Sequence, residues 1–379
     1  MDRKAAEVLQ TLHANIDVRM KVSNLNHAER IAVEIAKVLV FQSKAIILDE
    51  PTSGLLESEV ASLFNIIKSL KQMDISILYI SNKVEEITQI ADRIVVLRDG
   101  EIVDEQQSAG QLSPNNIIEK MAGKDFINRY PKTKASKGGV IFKATSLRSR
   151  DKYIYDISFH IRAGEIVGLA GLQGAGKTSV ANLVCGVDKK DSGSIFIHGK
   201  EVNIRNPHQA VKNGVVYLSD SLTDNVFLPY NATFNLSISN LRRVTRGLFI
   251  RPRLARVLSR QYVHRLNLKV PYLKETVESL SSGTLQKLSL AKLLFSDSSI
   301  YIMDEPSKNL DIPSKVEWYN MMNKMAYNGM GILLISSDIS ELVGMCDRIL
   351  VMFKGAIVKE LNSCEASSKK ILYYSMGNK

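Results

Sequence analysis

The stretch Gly171-Leu-Gln-Gly-Ala-Gly-Lys177-Thr178 decides the fold of this chain. It matches G-x-x-x-x-G-K-[ST], follows the apolar run Ile166 to Ala170, and precedes an apolar helical pattern from Thr178 to Val184. This setting predicts a loop whose backbone N–H groups surround phosphate oxygens at a helix N-terminus. We therefore expect an α/β P-loop fold that binds ATP. The residues predicted to hold ATP are Gly171, Leu172, Gln173, Gly174, Ala175, Gly176, Lys177, Thr178 and Ser179.

A second apolar strand, Ile300 to Met303, ends in two acids, Asp304 and Glu305. Paired with the phosphate loop, this element predicts the chemistry of ATP hydrolysis. Thr178 and Asp304 are the expected Mg²⁺ ligands, and Lys177 is expected to reach the β- and γ-phosphates. Glu305 is the predicted general base that polarises the attacking water.

The chain matches itself at an offset of 255 residues, since Leu25 aligns with Leu280 and Asp49-Glu50-Pro51 with Asp304-Glu305-Pro306. A period this long indicates two copies of one domain. The corresponding phosphate loop of the first copy would lie before residue 1. We therefore expect residues 1–123 to be the C-terminal half of one ATPase domain, 124–138 a linker and 139–379 a complete second domain. Asp49 and Glu50 then serve no phosphate loop and are expected to be structural.

Alternating short apolar strands and helices in both copies predict mostly parallel sheets. Two segments of the second domain depart from this pattern. Antiparallel strands are expected around residues 140–161 and 194–204, and residues 225–278 are expected to form a helical insertion.

Composition narrows the class of protein. With 45% hydrophobic residues, 23% charged residues and no apolar run near the ~18 needed to cross a bilayer, the chain is expected to have no spanning segment of its own. Three scattered cysteines argue against a disulfide framework and a zinc site. The net charge of +11 suits an anionic partner, and a modest arginine cluster at 242–256 is either a solvated helical face or a functional patch. The sequence has no basic stripe interleaved with aromatic residues, which is the pattern typical of single-stranded nucleic-acid binding. Nucleic acid is therefore not an expected partner.

The stretch Leu280, Ser281, Ser282, Gly283 and Thr284 resembles the LSGGQ signature of ABC-type ATPases, which caps the γ-phosphate of a nucleotide held by another domain. The first copy has a poorer version in Leu25, Asn26, His27, Ala28 and Glu29. Motif order, duplication and phrases such as Gly168-Leu-Ala-Gly171 resemble the ribose/galactose/xylose-type sugar import ATPases over essentially the whole chain. This resemblance implies Mg²⁺ and ATP as cofactors, a membrane permease and an external sugar-binding protein as partners, and a peripheral place on the cytoplasmic face of the cell membrane.

The resemblance also assigns further positions. Switch positions fall on Asn82 and Ser337, where other ABC ATPases have histidine, and Asp220 replaces the glutamine of the Q-loop. The family's second phosphate loop usually carries arginine where this chain has Lys177. Apolar residues 226–230 are expected either to line the groove for the permease or to be core, and Tyr153 or Tyr155 is the candidate for stacking on adenine.

Three functions remain open at this stage. The first is the energy-coupling ATPase of a monosaccharide importer, impaired as an isolated chain because the phosphate loop of its first copy is absent and its first signature is irregular. The second is an ATP-binding but weakly hydrolysing regulatory or scaffold remnant of such an ATPase. The third is a soluble tandem ATPase acting on ribosomes. It is disfavoured because such proteins have a long, highly charged helical linker, whereas the linker predicted here, residues 124–138, is short.

Overall fold

The computed structural model describes residues 2–378 except 13, 15, 42, 53, 54, 56, 82, 99, 107–113, 123–128, 248, 267, 269–272, 274, 309 and 311. The chain divides into two compact units, Met1–Ile127 and Asn128–Lys379. Each unit has its own hydrophobic core.

The first unit alternates helices with short strands, as the sequence predicts. Strands β1 and β2 pair in parallel, and β3 and β4 pair antiparallel. Helices α1 to α3 share a core with β1 that includes Leu12, Ile35 and Leu70. In chain order the elements are α1 (Asp2–Thr11), α2 (His27–Val40), β1 (Ala45–Asp49), α3 (Glu57–Gln72), β2 (Ser76–Ile80), α4 (Val84–Ile90), β3 (Ile94–Arg98), β4 (Glu101–Gln106) and α5 (Pro114–Ala122).

The second unit has a longer series of elements built around two sheets. In chain order they are β5 (Val140–Ser149), β6 (Ile154–Arg162), β7 (Ile166–Gly171), α6 (Lys177–Cys185), β8 (Ser192–Ile197), β9 (Lys200–Val202), α7 (Pro207–Lys212), β10 (Val215–Leu218), α8 (Leu222–Asn225), α9 (Ala232–Ser237), β11 (Thr245–Arg246), β12 (Phe249–Ile250), α10 (Pro252–Arg265), α11 (Ser282–Phe295), β13 (Ile300–Asp304), α12 (Ile312–Tyr327), β14 (Gly331–Ile335), α13 (Ile339–Met345), β15 (Arg348–Phe353), β16 (Ala356–Asn362) and α14 (Ser368–Ser375).

The main sheet of the second unit has six strands in the order β10-β13-β14-β7-β15-β16. All neighbouring pairs are parallel except β15 and β16. Strands β13 and β14 are buried along their whole length, which explains why they appear in the sequence as continuous apolar runs. Because parallel strands end at the same edge of a sheet, the residues that follow β7, β13 and β14 meet there.

A four-stranded antiparallel sheet, β6-β5-β8-β9, forms the second layer of this unit. It shares a core with α6 and one face of the main sheet, including Phe142, Leu183 and Ile302. The opposite face of the main sheet packs with the insertion and with α11 to α13, around Leu236, Leu290 and Trp318. Within its described residues the insertion is mainly helical, in α9 and α10, and it also contains the short hairpin formed by β11 and β12.

The segment before β5 is attached to the second unit. Lys132 Nζ lies 2.9 Å from Asp347 Oδ2, and Asn323 Nδ2 donates to the Pro131 carbonyl at 2.5 Å. The rear part of the predicted linker, from about residue 130 to 138, therefore packs on this unit rather than extending away from it. Residues 124–128 lie outside the described part of the chain.

Candidate nucleotide-binding site

The predicted phosphate loop joins β7 to α6 and has glycine at positions that exclude a side chain. Gly176 caps α6 in the left-handed region with φ 97°, and a Cβ there would lie 2.9 Å from Ile154 Cδ1. Gly171 has φ 156°, and a Cβ there would lie 2.8 Å from the Met352 carbonyl oxygen. The backbone therefore needs glycine at both ends of the loop, and the N-terminus of α6 opens into it, as anion binding requires.

Lys177 is held within the loop. Its Nζ donates a hydrogen bond of 2.6 Å to the carbonyl oxygen of Gly171. Burial lowers the pKa of its ammonium, whereas the nearby Glu305 and Asp304 raise that pKa. The ammonium group of Lys177 thus lies between the loop and two acids, Asp304 at the end of β13 and Glu305 directly after it.

Thr178 and Asp304 are brought together as the sequence predicts. Thr178 Oγ1 donates to Asp304 Oδ2 at 2.6 Å. Tyr217 on β10 places its hydroxyl 3.5 Å from the same carboxylate oxygen, a contact that the sequence does not predict. Burial raises the pKa of Asp304, and the hydrogen bond from Thr178 lowers it.

These donors fit Mg²⁺. Hydroxyl and carboxylate oxygens are the hard ligands that Mg²⁺ prefers, and it commonly takes one or two of them from protein and the rest from phosphates and water. Within the described residues, no group of three or more His, Cys, Asp or Glu side chains could hold a metal ion. Thr178 Oγ1 and Asp304 Oδ2 are the two protein oxygens that would hold the ion.

Glu305 follows β13 in a constrained backbone conformation. Its φ is 49°, in the left-handed region, and its N–H donates to the Ile335 carbonyl at 2.9 Å. The Ser337 hydroxyl donates to Glu305 Oε2 at 3.2 Å, so the predicted switch residue holds the predicted base. Burial raises the pKa of Glu305 to about 7, and the charges of Glu341 and Asp304 add to that rise.

Glu341 was not predicted as part of this region. It lies in the first turn of α13, four residues after Ser337, and is fully buried. Its effect on Glu305 depends on the segment between β14 and α13 lying beside Glu305, a tertiary contact that spacing along the chain does not reveal.

The other predicted switch positions are divided. Asp220 is exposed just after β10, and its charge contributes to the raised pKa of Asp304, so it lies beside the site. Asn82 lies outside the described residues.

The second signature starts α11. Ser281 is the N-cap residue, its Oγ accepts from the Thr284 N–H at 3.3 Å, and the two hydroxyl oxygens are 2.9 Å apart. Gly283 has no atom within 4 Å of where a Cβ would stand. The segment therefore presents an uncovered backbone at a helix N-terminus, suited to an anionic group. The side chain of Ser282 lies outside the described residues.

The first signature also lies at the start of α2, but its N-cap hydrogen bonds differ from those of the second signature. Asn26 Oδ1 accepts from the Glu29 N–H at 2.8 Å, and Glu29 Oε2 accepts from the Asn26 N–H at 2.8 Å. This is a capping box, for which N-x-x-E was an available sequence signal. Leu25 is buried before it, and His27 and Ala28 form the first turn.

The candidates for adenine stacking lie beside the phosphate loop. Tyr153 and Tyr155 are both exposed. The N–H of Tyr155 donates to the Gly355 carbonyl at 2.9 Å, and the N–H of Gly355 donates to the Ala175 carbonyl at 3.0 Å. The start of β6 is thus tied to the loop through Gly355.

An aromatic group follows α8. Phe227 and Tyr230 are about half-exposed and both contact the ring of Phe234. Lys292 Nζ lies 4.8 Å from the centre of the Phe227 ring, and burial lowers the pKa of Lys292 to about 8. Val226 is buried, so residues 226–230 combine core with an exposed aromatic surface.

The site and the sheets around it define a class of protein. A glycine loop at the end of a parallel strand, a hydroxyl–carboxylate pair such as Thr178–Asp304 and an acid that follows a buried strand are the arrangement expected of a P-loop ATPase. The added antiparallel sheet and the signature helix α11 identify the ABC type.

Comparisons with known proteins place the chain in a family. The ABC transporter family matches residues 154–308. The chain is 38% identical over 371 residues to the putative ribose/galactose/methyl galactoside import ATP-binding protein of Halalkalibacterium halodurans, covering 98% of this chain and 71% of that protein. It is 37% identical to the xylose import ATP-binding protein XylG of Thermoanaerobacter pseudethanolicus, covering 98% of this chain and 75% of that protein.

A solved structure supports the fold. The ADP conformation of an ATP-binding cassette of an ABC transporter gives a TM-score of 0.53 at 18% identity, covering 63% of this chain and 99% of that one. The chain belongs to the family of sugar-import ATP-binding subunits of ABC transporters. The predicted ABC ATPase fold and the family resemblance are therefore confirmed.

Proposed function

We propose that this chain binds Mg²⁺ and ATP at the site of its second unit and couples ATP hydrolysis to monosaccharide import. The observation that carries the proposal is the convergence of Lys177, the Thr178–Asp304 pair and the Ser337–Glu305 pair at one edge of the main sheet. Relatives named for ribose, galactose, methyl galactoside and xylose import support the substrate class.

Each side chain has a role in the proposed reaction. Lys177 exchanges its bond to Gly171 for the β- and γ-phosphates, and Thr178 and Asp304 hold Mg²⁺. When bound, Mg²⁺ neutralises negative charge on the phosphates. Glu305, oriented by Ser337, accepts the proton of the attacking water, and Ser337 replaces the histidine that other ABC ATPases use.

We further propose that residues 1–123 are the C-terminal half of an ATPase domain of the same kind. The supporting observation is that the elements of the first unit recur 255 residues later: α2 begins at His27 and α11 at Ser282, β1 at Ala45 and β13 at Ile300, α3 at Glu57 and α12 at Ile312. Glu50, like Glu305, has a positive φ and donates its N–H across to the next strand.

Burial of the two sheets supports the same proposal. Ile47, Leu78 and Leu97 are 68%, 57% and 64% exposed. Their counterparts Ile302, Leu333 and Met352 are each 0% exposed, because α6 and the antiparallel sheet share their core. The first unit therefore presents exposed apolar side chains on both of its strand pairs, β1–β2 and β3–β4, which fits a half-domain carrying its own phosphate loop.

The partners follow from the proposed role. We propose a membrane permease that contacts Phe227 and Tyr230, and an external sugar-binding protein that delivers the sugar to that permease. The described helices include none long and apolar enough to cross a membrane. The proposed location is the cytoplasmic face of the cell membrane, where the permease would hold the chain peripherally.

A weakly hydrolysing regulatory subunit is the second candidate function, and one observation favours it. The capping box commits both Asn26 and Glu29 to the helix end, where a competent signature offers a serine hydroxyl and glycine N–H groups. Losing one donor to a phosphoryl group lowers turnover by a factor of about 10² to 10³.

Nucleotide binding by the second unit is tested with Lys177→Ala. For the unaltered chain, ATP at ~100 times Kd stabilises the folded state by ~2.7 kcal/mol and raises the melting temperature of the second unit by roughly 5–10 °C. Lys177→Ala removes charge-assisted hydrogen bonds, so ATP affinity should fall about 10- to 150-fold. Exposed Lys200→Ala is the control and should keep the full shift. Equal shifts in all three proteins would contradict the proposed site.

A further inference from the structure

The insertion of the second unit has a charge distribution unlike the rest of the chain. From Asn225 to Lys274 the sequence contains eight arginines, two lysines and no aspartate or glutamate. The formal charge of this segment is therefore +10, against +11 for all 379 residues. The arginine cluster at 242–256 belongs to this segment, and the absence of acids around it is the more informative signal.

Most of these arginines point to solvent. Within the described residues, Arg242, Arg246, Arg251, Arg253 and Arg256 are exposed, and none of them forms a salt bridge. Arg243 is the exception, because its guanidinium donates to Tyr262 Oη and the Phe295 carbonyl and lies over both rings. Arg243 is thus structural, whereas the exposed arginines are available to a partner.

The exposed arginines surround an apolar tip. In the hairpin of β11 and β12, Phe249 is 80% exposed and Ile250 is 56% exposed, flanked by Arg246 and Arg251. The next helix, α10, continues the surface, since Arg253, Arg256, Val257 and Arg260 have the spacing of one helical face. The opposite face of α10 is buried through Ala255, Ser259, Tyr262 and Val263.

We propose that this hairpin and the outer face of α10 bind an anionic lipid surface, with Phe249 and Ile250 entering the interfacial region. Charge complementarity selects an anionic surface, and each arginine near such a membrane contributes about a fivefold gain in affinity. The apolar tip selects a bilayer over a purely polar polyanion, because aromatic and aliphatic side chains gain free energy at the boundary of headgroups and acyl chains.

This inference does not rest on nucleotide binding or on the permease, so its test uses neither. The full chain is sedimented with vesicles of phosphatidylcholine alone and with vesicles of equal parts phosphatidylcholine and phosphatidylglycerol. Binding is expected to the anionic vesicles, to weaken as salt is raised, and to be absent with phosphatidylcholine alone. Equal binding to both vesicles, or to neither, would overturn the proposal.

Variants locate the surface. The triple variant Arg246→Gln, Arg253→Gln, Arg256→Gln should bind anionic vesicles about 100-fold more weakly. The matched control, Lys200→Gln, Lys212→Gln, Lys369→Gln, removes the same charge from exposed positions elsewhere and should bind nearly as the unaltered chain. An equal loss of vesicle binding in both triple variants would show that binding depends on net charge alone, and it would overturn the assignment to this surface. An unchanged melting temperature in each variant, measured without nucleotide, reports that the second unit remains folded.

The tip itself is probed with Phe249→Trp. The chain has a single tryptophan, Trp318, which is buried in the core, so the new side chain reports its own surroundings. Its emission should shift to the blue on addition of anionic vesicles and should be quenched by brominated acyl chains. No spectral change, or the same shift with a single-stranded oligonucleotide in place of vesicles, would assign the surface to another partner and overturn the lipid proposal.

Discussion

At the scale of single residues, the site depends on pairs rather than on isolated side chains. Thr178 is fixed by Asp304, and Glu305 is fixed by Ser337, and each pair joins residues far apart in the chain. The two members of each pair lie at or just after the ends of different parallel strands of the main sheet. The distances within each pair therefore depend on the order of the strands in the sheet.

Glu305→Gln is expected to lower ATP turnover by about 10² to 10⁴, because the amide cannot accept the proton of the attacking water. ATP affinity should change little, since Lys177 and the loop are untouched. Phosphate release and nucleotide binding measure the two effects separately. The control is Glu50→Gln, the corresponding acid of the first unit, which should leave turnover unchanged. A large loss in that control would show that Glu50 is functional rather than structural.

The pH dependence of ATP hydrolysis is a second test of Glu305 as the general base. Burial raises the pKa of Glu305 to about 7, so the carboxyl group is protonated below that pH and ionised above it. A general base works only when ionised, and kcat/KM should therefore rise as pH increases through about 7. In Glu305→Gln this rise should disappear from the residual activity. A rise that survives the substitution would belong to another group.

At the scale of elements, the two signature helices show how capping and function compete. Both α2 and α11 begin with an N-cap side chain at the position of the signature. In α11 the cap is a serine with glycine two residues later, whereas in α2 it is an asparagine paired with glutamate. The first helix is therefore better capped and less suited to a phosphate.

The double variant Asn26→Ser, Glu29→Gln tests whether the capping of α2 limits its suitability for binding a phosphate. Serine and glutamine also form a capping box, so the thermal stability of the first unit should change by less than ~1 kcal/mol. If the signature limits turnover, ATP hydrolysis should rise, since a hydroxyl donor replaces an amide and a negative charge is removed. The single variant Asn26→Ala should lower stability by ~0.5–2 kcal/mol without raising turnover. Unchanged hydrolysis in the double variant would move the limitation elsewhere.

At the scale of the whole molecule, each unit has a surface that its own residues leave uncovered. In the first unit this surface consists of Ile47 and Leu78 on the β1–β2 pair and Leu97 on the β3–β4 pair, and in the second it is the aromatic group at Phe227 and Tyr230. Both faces are apolar, and both fit a polypeptide partner in the proposed assembly.

Paired substitutions at Leu78 and Leu333 test the sheet face. Leu333→Ser should destabilise the second unit by about 2–5 kcal/mol, because it removes a fully buried side chain. Leu78→Ser should leave the stability of the first unit within ~0.5 kcal/mol. It should, however, weaken co-assembly with a separately produced half-domain that carries a phosphate loop, measured by co-purification. Assembly that is insensitive to Leu78→Ser would rule out this face as the contact.

Tyr230→Asp tests the permease contact. Tyr230 is chosen over Phe227 because Lys292 lies on the Phe227 ring and would offset a carboxylate there. An unpaired charge in an apolar interface is unfavourable, so co-purification with the cognate permease should be lost. Tyr327→Asp, at a tyrosine that is 81% exposed on α12, is the control and should not affect it. Equal retention of the permease by both variants would place the contact on another surface.

The sequence by itself determined the local chemistry. The loop from Gly171 to Thr178, the strand ending in Asp304 and Glu305, and the 255-residue period depend on spacing along the chain, and helix and strand periodicity is readable from spacing. Even the capping box of Asn26 and Glu29 is a signal within four residues.

Only the tertiary structure decided which distant groups meet. The contact of Tyr217 with Asp304, the burial of Glu341 near Glu305 and the exposure of Leu78 against the burial of Leu333 depend on strand order and on which layer covers a face. Apolar strands with the same pattern occur in both units, and the pattern cannot say whether a face is covered. Coverage is set by elements elsewhere in the chain or on another chain, and for that reason it is decided by packing rather than by local sequence.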